Sequence, residues 1–411
     1  MATALLAYLP MSSSVALVAI ALPRPAAARA VVAAWEAGEA VLPLDAAAPG
    51  PELAATLAAA RPTHLLDGDG RRRLAGGEPV EAGVAAVVAT SGTGGAPKLV
   101  ELGADAIGWS ARATSRALGA GAGDRWLCCV APHGVAGLAV LARSWHTGLP
   151  VEVHDRFDPA AVAEAAGRAT LVSLVPTMLR RLLAAGDHTA RFRRILLGGG
   201  PIPPDLAAEA STRGAHLVRT YGLTETFGGM AHDGHPLAGV DLRVDEPEGE
   251  ILVRGPMLFR RYRGDPRRTA AALRDGWLAT GDLGRLGPDK RLVVLGRRDD
   301  LVISGGVNVH PDEVEAVLAR HPGVAEAAVA GRPDPEWGQR VAAFVVPRDP
   351  ERPPSLEELR AFARERLSAA KAPRELVLVP TLPRGPSGKL LRRLLGDGEA
   401  HVDAGLGRDL P

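Results

Sequence analysis

A loop rich in glycine and hydroxyl side chains follows a predicted strand at residues 85–90. After Thr90 at the strand end, the loop contains Ser91, Gly92, Thr93, Gly94, Gly95 and Lys98. Glycines let backbone N–H groups approach phosphate oxygens, hydroxyls add hydrogen-bond donors, and a lysine supplies positive charge. The loop therefore indicates polyphosphate binding, although its spacing is not the Walker pattern. Taken alone, it could equally be a turn between a strand and a helix.

Two further segments place polar side chains at predicted strand ends. The segment RTYGLTET offers the ring of Tyr221 to stack on a base, the hydroxyl of Thr224 for a phosphate and the carboxylate of Glu225 for Mg²⁺. In TGD, the two oxygens of Asp282 could accept both hydroxyls of a ribose, and Arg297 follows in GRRDD. Taken alone, Glu225 could be a surface charge and the other two could be turn residues.

Five motifs occur in the order and approximate spacing of the acyl-adenylate-forming superfamily, which includes acyl- and aryl-CoA synthetases, peptide-synthetase adenylation domains and luciferases. They are TSGTGGAPK, YGLTE, TGD, GRRDDLVISGGVNVHPDEVE and RGPSGKLLRR. The chain resembles this superfamily over residues 80–395. The resemblance implies an enzyme that uses ATP and Mg²⁺ to convert a carboxylic acid to its acyl-adenylate and then passes the acyl group to a thiol, with coenzyme A (CoA) as co-substrate.

The same resemblance implies nucleotide-binding roles for individual residues. These are Thr90 to Lys98 for the phosphates, Tyr221 for adenine, Thr224 and Glu225 for the α-phosphate and Mg²⁺, and Asp282 and Arg297 for the ribose. The α-phosphate is itself anionic, so a carboxylate can attack it only where cations and backbone donors neutralise the developing charge.

Roles in catalysis, domain movement and thiol binding follow from the resemblance as well. Lys389 matches the lysine that bridges the substrate carboxylate and the α-phosphate, and Asp299 matches the hinge between the two half-reactions. Gly305, Gly306 and Trp337 match the surface that admits the pantetheine arm of CoA. On its own, Lys389 would be read as a solvated lysine in the basic run GKLLRR.

One stretch narrows the choice of acid. PHGVAGLAVLARSWHTG is similar to a segment of the ortho-succinylbenzoate–CoA ligases of menaquinone synthesis, and Arg143 falls where that family keeps an arginine facing the acid. A dicarboxylate needs one cation beyond the adenylation lysine, and a guanidinium suits a carboxylate. We also expect His133, Gly198 and Gly199 to lie against the acid. The alternative for Arg143 is an exposed helix face.

The chain departs from the family pattern at three positions. Gly94 replaces the usual second threonine of the phosphate loop, Leu99 replaces a glycine, and Gly134 replaces a histidine. Catalysis could survive the first change on backbone N–H groups. At the third position, His133 either takes over the role of the missing histidine after a small backbone shift or caps a strand end.

Three alternatives to this ligase remain at the level of sequence. They are a CoA synthetase for another acid, an adenylation domain that loads a carrier protein, and a noncatalytic nucleotide-binding homologue. The presence of Glu225, Asp282 and Lys389 counts against the last of these. A homodimer is compatible with the sequence.

Composition excludes several other classes. Lys and Arg number 48 against 47 Asp and Glu, a net charge of +1, which gives no basic field for nucleic acid. Cys128 and Cys129 are adjacent, which suits neither a disulfide nor a metal site and favours inert core thiols in a reducing cytoplasm. We expect no membrane span. Residues 1–23 lack a basic segment before their apolar run, so we expect α/β core rather than a signal peptide.

The elements that carry these residues predict an α/β fold. Short apolar runs alternate with Ala-rich helical segments, which favours a large N-terminal α/β domain with parallel sheets. From about residue 240, short strands punctuated by Gly, Pro and Arg indicate a small β-rich subdomain. A small, mobile α+β C-terminal domain follows. The predicted division is residues 1–298, residues 299–395, and a loose tail at residues 396–411.

Overall fold

The structure is a computed structural model that describes residues 13–90, 97–247, 249–384 and 390–396. Within these ranges the strands form five sheets of mixed parallel and antiparallel pairing, covered by helices. The predictions for Lys389 and for the loop residues Ser91, Gly92, Thr93, Gly94 and Gly95 lie outside the described residues.

The first sheet has a parallel centre. The elements of this part are β1 (Ser14–Val15), β2 (Leu17–Ile20), α1 (Arg24–Glu36), β3 (Ala40–Pro43), α2 (Gly50–Ala60), β4 (His64–Asp67), β5 (Gly70–Arg73), β6 (Val80–Glu81), β7 (Val84–Thr90), β8 (Lys98–Gly103) and α3 (Ala104–Ala117). Strands β7, β3, β2 and β4 pair in parallel. Every residue of β2 is buried, and Val18 and Ile20 share one apolar core with Val31 and Trp35 of α1. From residue 13 onward, the prediction that this early segment is α/β core is confirmed, and residues 1–12 lie outside the described residues.

The second sheet is parallel over five strands. Its part of the chain contains β9 (Trp126–Cys128), α4 (Val135–Thr147), β10 (Val151–Val153), α5 (Pro159–Ala165), β11 (Leu171–Leu174), α6 (Pro176–Ala184), β12 (Arg194–Leu197), α7 (Pro204–Thr212), β13 (Leu217–Leu223), β14 (Gly228–His232) and β15 (His235–Pro236). The strand order is β10-β9-β11-β12-β13-β14-β15, and only the last two pairings are antiparallel. Because the carboxyl ends of parallel strands share one edge, the loops after β9, β11 and β12 open on the same side.

The β-rich part begins where the sequence predicts it. It contains β16 (Asp241–Asp245), β17 (Glu250–Arg254), β18 (Arg261–Tyr262), α8 (Pro266–Ala272), β19 (Leu273–Arg274), β20 (Trp277–Leu286) and β21 (Leu292–Arg297). Strands β16, β17, β20 and β19 form an antiparallel sheet, and β21 pairs with β20. Strand β18 is not part of this sheet. It pairs with β8 of the first sheet, where Tyr262 lies opposite Val100. This pairing places Tyr262 at the edge of the first sheet.

The C-terminal part is an α+β unit. It contains β22 (Val302–Ser304), β23 (Val307–Val309), α9 (Pro311–Leu318), β24 (Val324–Asp334), β25 (Gly338–Pro347), α10 (Leu356–Arg364), β26 (Glu375–Leu378) and α11 (Arg393–Gly396). Apolar residues of both longer helices pack with the sheet in one core. The predicted α+β character of this part is confirmed. No described helix is long and apolar enough to cross a membrane.

Candidate active site

The strand ends that flank the phosphate loop lie side by side. Thr90, the last residue of β7, pairs with Lys98, the first residue of β8. The hydroxyl of Thr90 donates to the carbonyl of Lys98 at 3.4 Å. The loop between them therefore starts and ends at one point on the sheet edge. From this point the ammonium of Lys98 reaches the residue that the sequence predicts as the metal ligand.

Glu225 is held by two partners at one of its oxygens. The Nζ of Lys98 lies 2.5 Å from Oε1 of Glu225, and the hydroxyl of Tyr262 donates to the same oxygen at 2.7 Å. Glu225 is only 6% exposed. Burial alone would raise the pKa of Glu225, but the Lys98 charge and the two hydrogen bonds outweigh burial and hold that pKa below its usual value. The carboxylate is therefore ionised at neutral pH.

A tight local structure fixes where Glu225 points. Thr224, Glu225 and Thr226 form a 3₁₀ turn directly after β13. The backbone N–H of Leu223 donates to the hydroxyl of Thr226 at 2.9 Å. A Cβ on Gly222 would lie 1.8 Å from the carbonyl oxygen of residue 228, so only glycine lets β13 and β14 approach this closely. The YGLTE motif thus builds a turn that projects the carboxylate toward Lys98.

The predicted ribose residues form a second connected group. The hydroxyl of Tyr221 donates to Oδ2 of Asp282 at 2.8 Å, and Nη1 of Arg297 donates to Oδ1 at 2.8 Å. Asp282 and Arg297 are direct partners across β20 and β21. Burial, and next the Asp282 carboxylate, raise the pKa of Tyr221, so its hydroxyl stays protonated. The structure therefore brings these three predicted residues together, and each oxygen of Asp282 keeps a second lone pair for a ligand.

Arg143 lies on the buried face of α4. It is 4% exposed, its Nη2 donates to the hydroxyl of Ser173 at 2.9 Å, and its guanidinium carbon lies 4.4 Å from the ring centre of Trp126. The alternative of an exposed helix face is wrong. Burial lowers the pKa of the guanidinium to about 10, and no carboxylate of the described residues forms an ion pair with it. Arg143 is thus a charged group without an anionic partner in the described part of the chain.

The other residues predicted to contact the acid lie on neighbouring loops. The Nε2 of His133 is 3.9 Å from Oδ2 of Asp45, and burial lowers the pKa of His133. Gly198 follows β12, and a Cβ there would lie 2.5 Å from the Thr220 side chain. Gly199 has a φ of +81°. His133 therefore faces an acidic side chain from the segment that follows β3, and the two glycines form the turn that follows β12.

The residues predicted to meet CoA lie together in the C-terminal part. Gly305 and Gly306 form the tight turn of the β22–β23 hairpin, with φ of +56° and +78°. The backbone N–H of Gly305 donates to the carbonyl of Trp337 at 2.9 Å, and a Cβ on Gly305 would lie 2.5 Å from the indole ring. Asp299 is exposed in a 3₁₀ turn between β21 and β22. The predicted hinge thus lies where the chain passes between two sheets.

Glu225 is suited to bind a hard cation whose other ligands come from a bound phosphate. Both of its side-chain hydrogen bonds go to Oε1, so Oε2 faces no side-chain donor among the described residues. Within the same ranges, no cluster of three or more His, Cys, Asp or Glu could hold a metal ion by itself. Mg²⁺ in nucleotide enzymes is commonly bound by one or two carboxylates together with phosphate oxygens. A single buried carboxylate beside Lys98, at the end of the predicted phosphate loop, fits that mode.

Comparison with known proteins identifies the family of this chain. The family description "AMP-binding enzyme" matches residues 75–263, and "AMP-binding enzyme C-terminal domain" matches residues 313–389. The 2-succinylbenzoate–CoA ligase of Geobacillus kaustophilus is 40% identical over 337 residues, 76% of this chain and 69% of that protein. The probable 2-succinylbenzoate–CoA ligase of Mycobacterium tuberculosis is 42% identical over 340 residues, 79% of this chain and 88% of that protein. The chain belongs to the AMP-binding enzymes.

The fold of this AMP-binding enzyme is also similar to that of solved structures. The o-succinylbenzoate CoA synthetase of Bacillus subtilis, in complex with its acyl-adenylate intermediate, matches with a TM-score of 0.84 and 33% identity, covering 93% of this chain and 88% of that one. The same enzyme with ATP and a magnesium ion matches with a TM-score of 0.83 and 32% identity over 92% and 89% of the two chains. The predictions of an α/β fold and of the acyl-adenylate-forming superfamily are confirmed.

Three polar residues that neighbour the predicted site residues of this AMP-binding enzyme were not predicted from the sequence. Tyr262, Ser173 and His232 have no motif around them that marks a site. Tyr262 reaches Glu225 only because β18 pairs with β8. A motif search could not find these residues, because long-range pairing of strands brings them to the site.

Proposed function

We propose that the protein is a 2-succinylbenzoate–CoA ligase. It converts the acid and ATP to the acyl-adenylate and pyrophosphate, and then transfers the acyl group to CoA with release of AMP. The observation that carries this proposal is the buried guanidinium of Arg143, which has no carboxylate partner among the described residues. An acid with a second carboxylate supplies the missing anion. The names of the relatives support the same substrate.

In the first half-reaction the acid carboxylate attacks the α-phosphate. The loop from Thr90 to Lys98 binds the phosphates, and Asp282 with Arg297 positions the ribose beside the ring of Tyr221. Glu225 would hold Mg²⁺, which would supply positive charge at the phosphate oxygens. The predicted role of Lys389 is to neutralise the approach of the two anions. Pyrophosphate leaves, and the acid keeps its second carboxylate on Arg143.

In the second half-reaction the CoA thiol attacks the acyl carbonyl and AMP leaves. The division proposed from the sequence, residues 1–298 and 299–395, places Gly305, Gly306 and Trp337 on the smaller domain. Rotation at Asp299 would bring these residues to the adenylate after pyrophosphate has left. That order protects a reactive intermediate from water. We also infer a cytoplasmic location, because both co-substrates and the free buried thiols suit a reducing compartment.

The test is pyrophosphate release by the purified protein with ATP and Mg²⁺ across a panel of acids, with and without CoA. The panel contains 2-succinylbenzoate, benzoate, a simple fatty acid and a dicarboxylate of different length. Selective release with 2-succinylbenzoate, and acyl-CoA formation once CoA is added, supports the proposal. Selective release with a monocarboxylate would contradict the role of Arg143. No release with any acid despite ATP binding would favour a noncatalytic homologue.

A further inference from the structure

Three buried polar atoms on α4, β13 and β14 have no hydrogen-bond partner among the described residues. They are Nε of Arg143 on α4, Oγ1 of Thr220 on β13 and Nε2 of His232 on β14. An unpartnered buried donor or acceptor destabilises a fold, and native proteins contain few of them. Three such atoms from three neighbouring elements are the pattern expected where a polar ligand completes the hydrogen bonding.

Two of the three atoms converge on one point. Thr220 and His232 are direct partners in the antiparallel pairing of β13 and β14. A Cβ built on Gly229 would lie 2.0 Å from Oγ1 of Thr220 and 3.6 Å from Nε2 of His232. Only glycine at position 229 lets the Thr220 hydroxyl pack this closely against the backbone. Both polar atoms lie within 3.6 Å of one point, so the hydroxyl and the imidazole nitrogen are close enough to bind the same small polar group.

His232 is an uncharged neighbour of the cation. It is 9% exposed, and burial together with the nearby charge of Arg143 lowers its pKa to about 4, while Asp233 acts in the opposite direction. The imidazole is therefore neutral at pH 7. A neutral imidazole and a hydroxyl can each donate one hydrogen bond without adding charge. Such a pair suits an uncharged oxygen better than a second anion.

We propose that His232 and Thr220 bind the ketone oxygen of the acid, beside the carboxylate that Arg143 holds. This inference rests on the proposed function, because 2-succinylbenzoate carries a ketone between its ring and its chain. Nε2 of His232 and Oγ1 of Thr220 donate to the carbonyl, while the guanidinium neutralises the carboxylate. The two polar sites thus select different groups of the same acid.

The experiment compares two acids, 2-succinylbenzoate and the analogue in which a methylene replaces the ketone. The measured quantity is the ratio of their kcat/KM values in pyrophosphate release. We expect His232→Leu to lower this ratio about tenfold, because one neutral hydrogen bond in a buried site is lost. Thr220→Val should lower the ratio as well. His232→Gln, which can place an amide nitrogen near the position of Nε2, should recover part of the preference.

A matched control lies on the next strand. His235 pairs with His232 across β14 and β15 but is exposed. His235→Leu should leave the ratio of the two acids unchanged. Circular dichroism and thermal unfolding identify any variant that fails to fold. In a folded His232→Leu variant, equal losses for both acids would overturn the inference.

The two proposals fail in different ways. If the wild-type enzyme does not prefer a dicarboxylate, the proposed function is wrong whatever His232 does. If the preference for a dicarboxylate is present and depends on Arg143, but the ketone preference is unaffected in His232→Leu and Thr220→Val, only the inference about the ketone is wrong.

Discussion

The ammonium of Lys98 and the carboxylate of Glu225 lie 2.5 Å apart, although 127 positions separate them in the chain. The pair is largely removed from water, and Tyr262 adds a third group to it. Removal of one member of such a pair leaves a buried charge without compensation. The contact therefore links the end of the phosphate loop to the YGLTE turn.

The first prediction concerns acid stability. The folded-state pKa of Glu225 lies below its ordinary value of 4.5. Its ionised form therefore contributes stability that is complete above about pH 4.5 and is lost as pH falls through the folded-state pKa, by about 1.4 kcal/mol for each unit of difference in pKa. Between pH 6 and pH 3, the free energy of unfolding of Glu225→Gln should therefore fall less steeply than that of the wild type. The measurement is urea unfolding at intervals of about 0.5 pH units.

A control for this measurement is Glu336→Gln, because Glu336 is exposed on a loop. Its profile should follow that of the wild type. If Glu225→Gln also kept the wild-type slope, the carboxylate would not be the source of the acid sensitivity.

The second prediction concerns the stability cost of Arg143. A buried cation without an anion destabilises the unliganded fold, so Arg143→Met should raise the free energy of unfolding by about 2 kcal/mol. The same change should reduce kcat/KM for 2-succinylbenzoate about a hundredfold and affect benzoate far less. Chemical denaturation of the unliganded protein and pyrophosphate release with both acids provide the two measurements.

Arg193→Met is the matched comparison. Arg193 is paired with the buried Asp124 at 2.7 Å, so its loss should lower stability by about 3 kcal/mol. A loss of stability in both variants would mean that Arg143 stabilises the fold through packing. Equal kinetic losses for both acids would remove it from the acid site.

The third prediction separates the two half-reactions. Lys389→Ala should abolish pyrophosphate release, because the developing charge at the α-phosphate loses its cation. Formation of acyl-CoA from supplied acyl-adenylate should persist, since no phosphate is attacked in that step. Each half-reaction is measured separately by rapid quench. Survival of both would show that Lys389 has another role.

The fourth prediction concerns the two thiols. Burial raises the pKa of both Cys128 and Cys129 to about 12, so almost no thiolate exists at pH 8. An aromatic disulfide reagent should leave the folded enzyme unlabelled and fully active, and should label both cysteines after denaturation. Rapid labelling of the native protein would contradict the buried position.

The order of elements could be predicted because local patterns determine it. The alternation of apolar runs with Ala-rich segments gave the parallel sheets, and the Gly- and Pro-punctuated segment near residue 240 gave the antiparallel one. The grouping of Tyr221, Asp282 and Arg297 could also be anticipated from their motifs. The prediction that Tyr221 and Asp282 lie at strand ends is wrong, because β13 and β20 both continue beyond them.

Features that depend on long-range packing could not be predicted in this way. The sequence around Arg143 is compatible with either a buried or an exposed face, and only the packing of α4 on Trp126 and Ser173 decides between them. Likewise, the place of His232 depends on the register between β13 and β14. No local period or motif contains that information.

The position of β18 has a consequence for biosynthesis. Lys98, Glu225 and Tyr262 come from three distant stretches of chain, and the last of them reaches the carboxylate through a two-residue strand paired with β8. A growing chain on the ribosome therefore cannot complete the coordination of Glu225 until the segment that contains Tyr262 has left the exit tunnel. Translation order thus makes the nucleotide site one of the last features of the large domain to form.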